Sequence, residues 1–282
     1  MRRQSAVVIF WILVFIFSTH ASAHAFQAEV LPSEISSGES FVIKVTRTKI
    51  SKGPIASLNG KQFYFSSYGE GFFIAIGAIG IETKPGVYTI MLEVGKKKKK
   101  LRLLVKRTSY QTLSLTLPED KVFLSTENLR RAKIEDKKIK SICQTVSDRI
   151  WEGSFILPLG NEITTAYGTK RIINKKIISV HRGIDIKGQE GQEVKASNRG
   201  RIVLSGELFF GGNTVIIDHG NGIYTIYMHL SKFNVESGDI VSKGDVIGLV
   251  GSSGRSSGPH LHFGIKVTDI NINPVSLIRL NL

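Results

Sequence analysis

Between Phe41 and Val105, apolar and polar positions alternate in short runs: Phe41-Val42-Ile43-Lys44-Val45, Phe63-Tyr64-Phe65, Phe72-Phe73-Ile74-Ala75-Ile76, Val87-Tyr88-Thr89-Ile90-Met91-Leu92 and Leu101-Arg102-Leu103-Leu104-Val105. Turn-forming residues separate them at Ser36-Ser37-Gly38, Asn59-Gly60, Lys84-Pro85-Gly86 and Gly95. A period of two punctuated this way predicts antiparallel strands, and their spacing predicts a small immunoglobulin-like β-sandwich over residues 24–120. The period then changes. Ile139, Ile142, Val146 and Ile150 recur at steps of three and four among Lys, Asp and Arg, which predicts one amphipathic helix between Ser125 and Ile150 in a linker over 121–152. Ser125 suits its N-cap and Glu127 its dipole. Such a helix has to bury its stripe on one of the flanking β units, and a lid across a cleft is the functional alternative.

From Phe155 the strand pattern returns, in Val194–Ala196, Gly200–Leu204, Thr214–Asp218, Tyr224–His229 and Val246–Val250. Glycine turns at Gly211-Gly212-Asn213 and Asn221-Gly222 divide these runs, and no helical period intervenes. The fold class is therefore mainly β, with a second, antiparallel β domain over 153–282.

Residues Met1–Ala23 alter the setting. Arg2 and Arg3, the apolar run Ala6–Phe17 and the small residues Ala21-Ser22-Ala23 have the order of a secretory signal peptide. The run falls short of the ~20 residues of a membrane span. Export is expected, to a periplasm or beyond the cell. The formal net charge of +15 fits anionic surroundings. Lys96–Lys100, five lysines after Gly95, read as a solvated hairpin turn, with contact to anionic envelope polymers or lipid head groups as the functional alternative. An exported chain with no nucleic-acid-binding motif is not expected to bind nucleic acid. A single cysteine, Cys143, excludes an internal disulfide; on the apolar side of the helix it reads as buried and inert.

The chemistry concentrates late in the chain. In Gly258-Pro259-His260-Leu261-His262-Phe263-Gly264, Pro259 favours extended backbone. Strand alternation puts His260 and His262 on one face, with Leu261 and Phe263 on the other. Upstream, Val180-His181-Arg182-Gly183-Ile184-Asp185 supplies His and Asp four apart, and Tyr227-Met228-His229-Leu230-Ser231 supplies a further imidazole. Catalytic zinc typically takes three protein ligands drawn from His, Cys and carboxylates and leaves one position for water. His181, Asp185 and one of the pair His260 and His262 would make such a set.

The stretches HRGID, YMHLS and GRSSGPHLHF, in that order over roughly Trp151–Pro274, resemble the lysostaphin/LytM-type zinc endopeptidases, which cut peptide bonds in bacterial peptidoglycan. The resemblance implies an antiparallel β peptidase domain with a zinc groove and one Zn2+ held by His181, Asp185 and His262. It makes His229 and His260 the unligated catalytic histidines and peptidoglycan cross-link peptides the substrate. Because some relatives lack ligands and only activate other wall hydrolases, a non-catalytic wall-binding protein or amidase activator is the rival reading. A second rival is a lipoyl- or biotin-carrier-like module, since Val235–Asp239 and Lys243–Gly248 resemble turns of those barrels. His219 and Asp218 precede a tight turn and read as turn or supporting groups. Tyr167-Gly168 and Arg171 are candidates for the cleft lining.

Overall fold

The computed structural model describes residues 26–46, 53–69, 71–116, 124–175 and 177–282. The expected signal peptide, residues 1–23, lies outside them, and among the described residues no helix is long and apolar enough to cross a membrane.

The chain is mainly β. Near the N-terminus, one sheet orders its strands Ala28–Leu31, Ser40–Thr46, Phe72–Ala78 and Ser66–Ser67. A second orders Glu34–Ser36, Lys97–Lys106, Gly86–Val94, Ile55–Leu58 and Lys61–Phe63. A shared core that includes Phe41, Ile43, Val45, Ile90, Leu92 and Leu103 joins the two. One pairing, Glu34–Ser36 with Leu104–Lys106, is parallel where only antiparallel pairs were expected. The lysine run is also corrected. The turn ends at Lys96, and Lys97–Lys100 are the first residues of a ten-residue strand paired with Met91–Val94.

Ser40–Thr46 and Phe72–Ala78 are buried on both faces. Phe41, Ile43, Val45 and Ala75 point into the N-terminal core, whereas Val42, Ile74, Ile76 and Ala78 belong to the core of the C-terminal half. This explains why those runs are almost unbroken apolar stretches rather than strict alternations. Polar contacts reinforce the junction: Asn273 N–H donates to Gly38 O at 2.7 Å, Ser40 N–H to Ser276 Oγ at 3.1 Å, and Asn221 Nδ2 to Ser66 Oγ at 2.7 Å.

The helix runs from Thr126 to Cys143, with Ser125 Oγ accepting from Asn128 N at 3.2 Å as its N-cap. It stops seven residues before the expected end, Ile150, and Val146 is exposed. Beyond Gln144 the backbone finds other partners. Thr145 O accepts from Tyr224 Oη, Ser147 O from Asn221 N, and Ile150 N donates to His219 O. Ile139, Ile142 and Cys143 bury against Leu204, Leu208, Ile216, Tyr224 and Ile226. The helix thus docks on the C-terminal sheet. Burial pushes the Cys143 thiol up to about 12, so it stays protonated and inert.

The C-terminal sheet is antiparallel throughout. Its path is Ile163–Thr165, Ile184–Lys187, His260–Val267, Ile223–Phe233, Gly212–Gly220, Gly200–Leu208 and Ile240–Val241. One face carries Ile184, Ile186, Leu261, Phe263, Ile265, Tyr227, Val215 and Ile217 into the main core. The opposite face carries the histidine cluster and, farther along, the apolar patch covered by the helix. A separate small sheet joins Thr112–Leu115, from the end of the expected N-terminal unit, in parallel to Lys170–Ile173, which forms a hairpin with Ile177–Val180. A five-residue helix, Pro274–Ile278, interrupts the β pattern near the C-terminus, where no helical period was expected; Asn273 caps it and Pro274 opens it.

Candidate metal centre

The central strands of the C-terminal sheet carry the cluster. Asp185 sits between the core residues Ile184 and Ile186, so its carboxylate points to the opposite face, directly across from His262 in the pairing register. The same alternation turns Leu261 and Phe263 inward and leaves His260 and His262 on the Asp185 side. His181 precedes the strand Ile184–Lys187, and its ring reaches the same point.

Three donor atoms converge there. His181 Nε2 is 2.9 Å from Asp185 Oδ1 and 3.0 Å from His262 Nδ1, which is itself 2.9 Å from Asp185 Oδ1. His181 Nδ1 lies 3.1 Å from Ala166 O, which assigns its proton to Nδ1 and leaves a lone pair on Nε2. That lone pair faces a carboxylate oxygen and a second imidazole nitrogen. Three electron-pair donors so close together, two nitrogens and one oxygen, call for a shared cation, and the set is one that zinc accepts. Ala166 O stands where an outer hydrogen-bond partner would fix the ring if His181 held a metal. Burial would raise the Asp185 carboxyl, but the close contacts with the His181 and His262 rings outweigh it and hold the group well below the usual carboxylate range. Burial also lowers His262, favouring the neutral ring a metal needs.

His229 and His260 lie beside this set without joining it. Their ring centroids are 4.8 Å apart, and His229 is 6.2 Å from His262. Each ring is fixed through Nδ1, His229 by Ser253 O at 2.8 Å and His260 by Gly258 O at 2.8 Å. Each therefore keeps a lone pair on Nε2. His260 Nε2 is 3.8 Å from Asp185 Oδ1. Burial lowers His229 to about 4, so it is neutral at neutral pH. Simple alternation from Tyr227 would have sent His229 into the core. A bulge prevents this, because Met228 and His229 together oppose Thr214 between the pairs Val215↔Tyr227 and Asn213↔Leu230. The extra residue re-aims the imidazole at the cluster. It holds His229 at φ 66°, a conformation costly for a residue with a Cβ.

Arg171 lies near the cluster, with Nη2 3.5 Å from Asp185 Oδ2. Tyr167 does not line the cleft. It is buried, donates from Oη to Asn271 O at 2.8 Å and packs on Gly38. The supporting carbonyls of Ala166, Ser253 and Gly258 carry no residue-type signal, so reading side chains alone missed them. Gly183 was within reach as the small residue of HRGID: a Cβ there would lie 2.7 Å from His262 Nε2 and 2.5 Å from Phe263 O.

His219 stands apart from the donor set. Fully enclosed, it donates from Nδ1 to Arg199 O at 2.7 Å and accepts at Nε2 from Thr225 Oγ1 at 2.7 Å. Asp218 likewise binds Ser147 Oγ and Gly220 N. Burial lowers His219 from 6.5 to about 4, against a smaller opposing effect of the Arg199 carbonyl. Between those values the unfolded chain binds the proton and the folded one does not. The His219 contribution is therefore complete above pH 6.5 and is lost as pH falls toward 4. Thermal unfolding should show Tm of the parent falling more steeply across that window than Tm of His219→Gln; parallel slopes would contradict this.

Residues 179–274 match peptidase family M23, a span that contains all five of these cleft residues. Over that span the chain carries a domain that matches the family. Over 98 residues it is 46% identical to the DD-carboxypeptidase/endopeptidase Mpg of Neisseria meningitidis, an alignment covering 35% of this chain and 23% of that protein. Over 107 residues it is 39% identical to the peptidoglycan DD-endopeptidase ShyA of Vibrio cholerae, covering 38% of this chain and 24% of that protein. The chain thus spans about a quarter of the length of these relatives. A Pseudomonas aeruginosa crystal structure with a provisional peptidase M23 name superimposes with a TM-score of 0.66 at 26% identity, covering 86% of this chain and 94% of that one. The likeness therefore extends well beyond the matched domain.

Proposed function

We propose that this chain is an exported zinc-dependent endopeptidase that hydrolyses peptide cross-links of bacterial peptidoglycan, with D-alanyl linkages as the favoured target. The observation that carries the reading is the convergence of His181 Nε2, Asp185 Oδ1 and His262 Nδ1, with two further imidazoles free beside them. The names of the relatives from Neisseria and Vibrio support the substrate and the DD bond type. The apolar segment Ala6–Phe17 with its flanks supports export, and a periplasm is the favoured compartment. The N-terminal unit, 24–120, then acts as an immunoglobulin-like spacer, 121–152 as a helical linker, and 153–282 as the catalytic domain.

His181, Asp185 and His262 would hold the zinc. When bound, zinc supplies Lewis acidity that polarises the scissile carbonyl and lowers the pKa of water to ~7. The chain's own contribution is proton handling. With Nδ1 tied to backbone carbonyls, His229 and His260 each present Nε2 as the exchangeable site. One takes the proton as water adds to the carbonyl carbon. The pair returns a proton to the amide nitrogen as the C–N bond breaks, since an amine leaves only when protonated. The carrier rival loses support because Lys243 Nζ is bound to Glu152 O and Ser154 O rather than held at a free hairpin tip.

Digestion of cross-linked muropeptides of defined chemistry, followed by mass analysis, tests the proposal. The zinc-loaded protein should convert D-alanyl dimers to monomers, lose that activity in excess chelator and regain it on adding zinc. Cleavage undiminished by excess chelator would rule out the zinc reading. Binding of peptidoglycan without cleavage would favour the non-catalytic rival.

A further inference from the structure

The family match begins at residue 179, yet a residue of the upstream helix is tied to the histidine wall of the cleft. Glu135 lies in the middle of Thr126–Cys143 with its side chain only 17% exposed. One carboxylate oxygen accepts the Phe209 backbone N–H at 2.7 Å, and the other accepts Arg131 Nε at 2.8 Å. Arg131 also lies over the Phe209 ring, 5.8 Å from its centroid.

The loop that follows Phe209 holds the cleft from behind. Phe210 O accepts Arg255 N–H at 3.0 Å, and Gly211 O accepts His229 N–H at 2.8 Å. Gly212 packs so closely on the next loop that a Cβ would lie 2.3 Å from the Ser253 carbonyl carbon. Ser253 Oγ accepts Asn213 N–H at 2.9 Å, and Ser253 O receives the His229 ring proton. His229 stands at the end of this chain of bonds in a left-handed backbone conformation that persists only where its surroundings over-determine it. A surface ion pair four residues apart on a helix needs no such aim at the peptide N–H of another element.

We propose that Glu135 is a positioning residue for His229. By anchoring Phe209 N–H, it fixes the 209–212 loop, and through Gly211 O and Ser253 it fixes the bulged backbone that presents the imidazole. The effect on turnover rests on the reading of His229 as a proton-transfer group.

Three substitutions separate positioning from plain support of the fold. Glu135→Gln keeps an acceptor oxygen at the same reach but loses the charge facing Arg131. Glu135→Asp keeps the charge one methylene short, and Glu135→Ala removes both. For zinc-loaded protein on a cross-linked muropeptide, the Gln variant should keep kcat within about twofold. The Asp and Ala variants should lose about tenfold or more in kcat, with KM and zinc content unchanged. Amide hydrogen exchange at His229 N–H, a readout independent of activity, should accelerate in Asp and Ala but not in Gln. If Ala does not fold, the Asp and Gln pair decides. Full kcat and parental exchange in Asp, or losses in Gln equal to those in Asp, would overturn the proposal. A parent that hydrolyses nothing while His229 exchange still follows this order would refute the peptidase reading and leave the positioning intact.

Discussion

His262→Ala is expected to lose both bound zinc and hydrolysis, whereas His260→Ala should retain zinc and lose about 10²–10⁴-fold in turnover. The two residues share one strand face but are offset along it by ~6.6 Å, two residues of strand rise. Only His262 Nδ1 reaches Asp185 Oδ1 and His181 Nε2, at 2.9 Å and 3.0 Å. His260 Nε2 stops 3.8 Å from the carboxylate, and its other nitrogen is committed to Gly258 O. Elemental analysis of each purified variant, beside its rate on a defined muropeptide, separates the two roles. Equal metal loss in both would reverse the assignment.

Gly183→Ala should be nearly as damaging, although alanine brings no charge and removes no donor. The added methyl would lie 2.8 Å from His262 Cε1, 2.7 Å from Nε2 and 2.5 Å from Phe263 O, with backbone on one side and a ligand ring on the other. The ring has to swing away, and Nδ1 moves with it out of the donor set. We expect zinc affinity to fall by at least about 10–100-fold, the scale seen when support of a ligand is removed. Gly191→Ala is the control: nothing lies within 4 Å of its Cβ position, and although its φ of 82° makes the change locally strained, the site should still bind zinc. Parental zinc affinity in Gly183→Ala would show that the ring adapts.

Much of the site was legible because strand alternation is simple geometry. The spacing of His260 and His262, alternating with Leu261 and Phe263, required a shared polar face, and Ile184 and Ile186 turning inward put Asp185 on that face; the register that sets it opposite His262 was not legible. His229 stood out as one more imidazole at a strand end, but its role as an unligated catalytic group came only from the family resemblance. Its own alternation with Tyr227 points the wrong way, and nothing in Met228-His229-Leu230 announces the bulge that corrects it. The helix was found, but its end was not, since Val146 and Ile150 continue the apolar period while their backbone pairs elsewhere. Short strands such as Ile55–Leu58 and Thr112–Leu115 carry too few residues to show a period. Tyr167 resembled a cleft residue because it precedes His181, but burial and its bond to Asn271 O make it a packing group.

The strands Ser40–Thr46 and Phe72–Ala78 have two owners, and that makes the N-terminal unit hard to excise. A fragment cut down to the matched domain would present raw hydrocarbon where Val42, Ile74, Ile76 and Ala78 had lain. Such a fragment would be sticky, whatever the state of its histidines. The same shared wall, bridged by Asn273 N–H to Gly38 O and by Ser40 N–H to Ser276 Oγ, couples the described parts of the two halves directly.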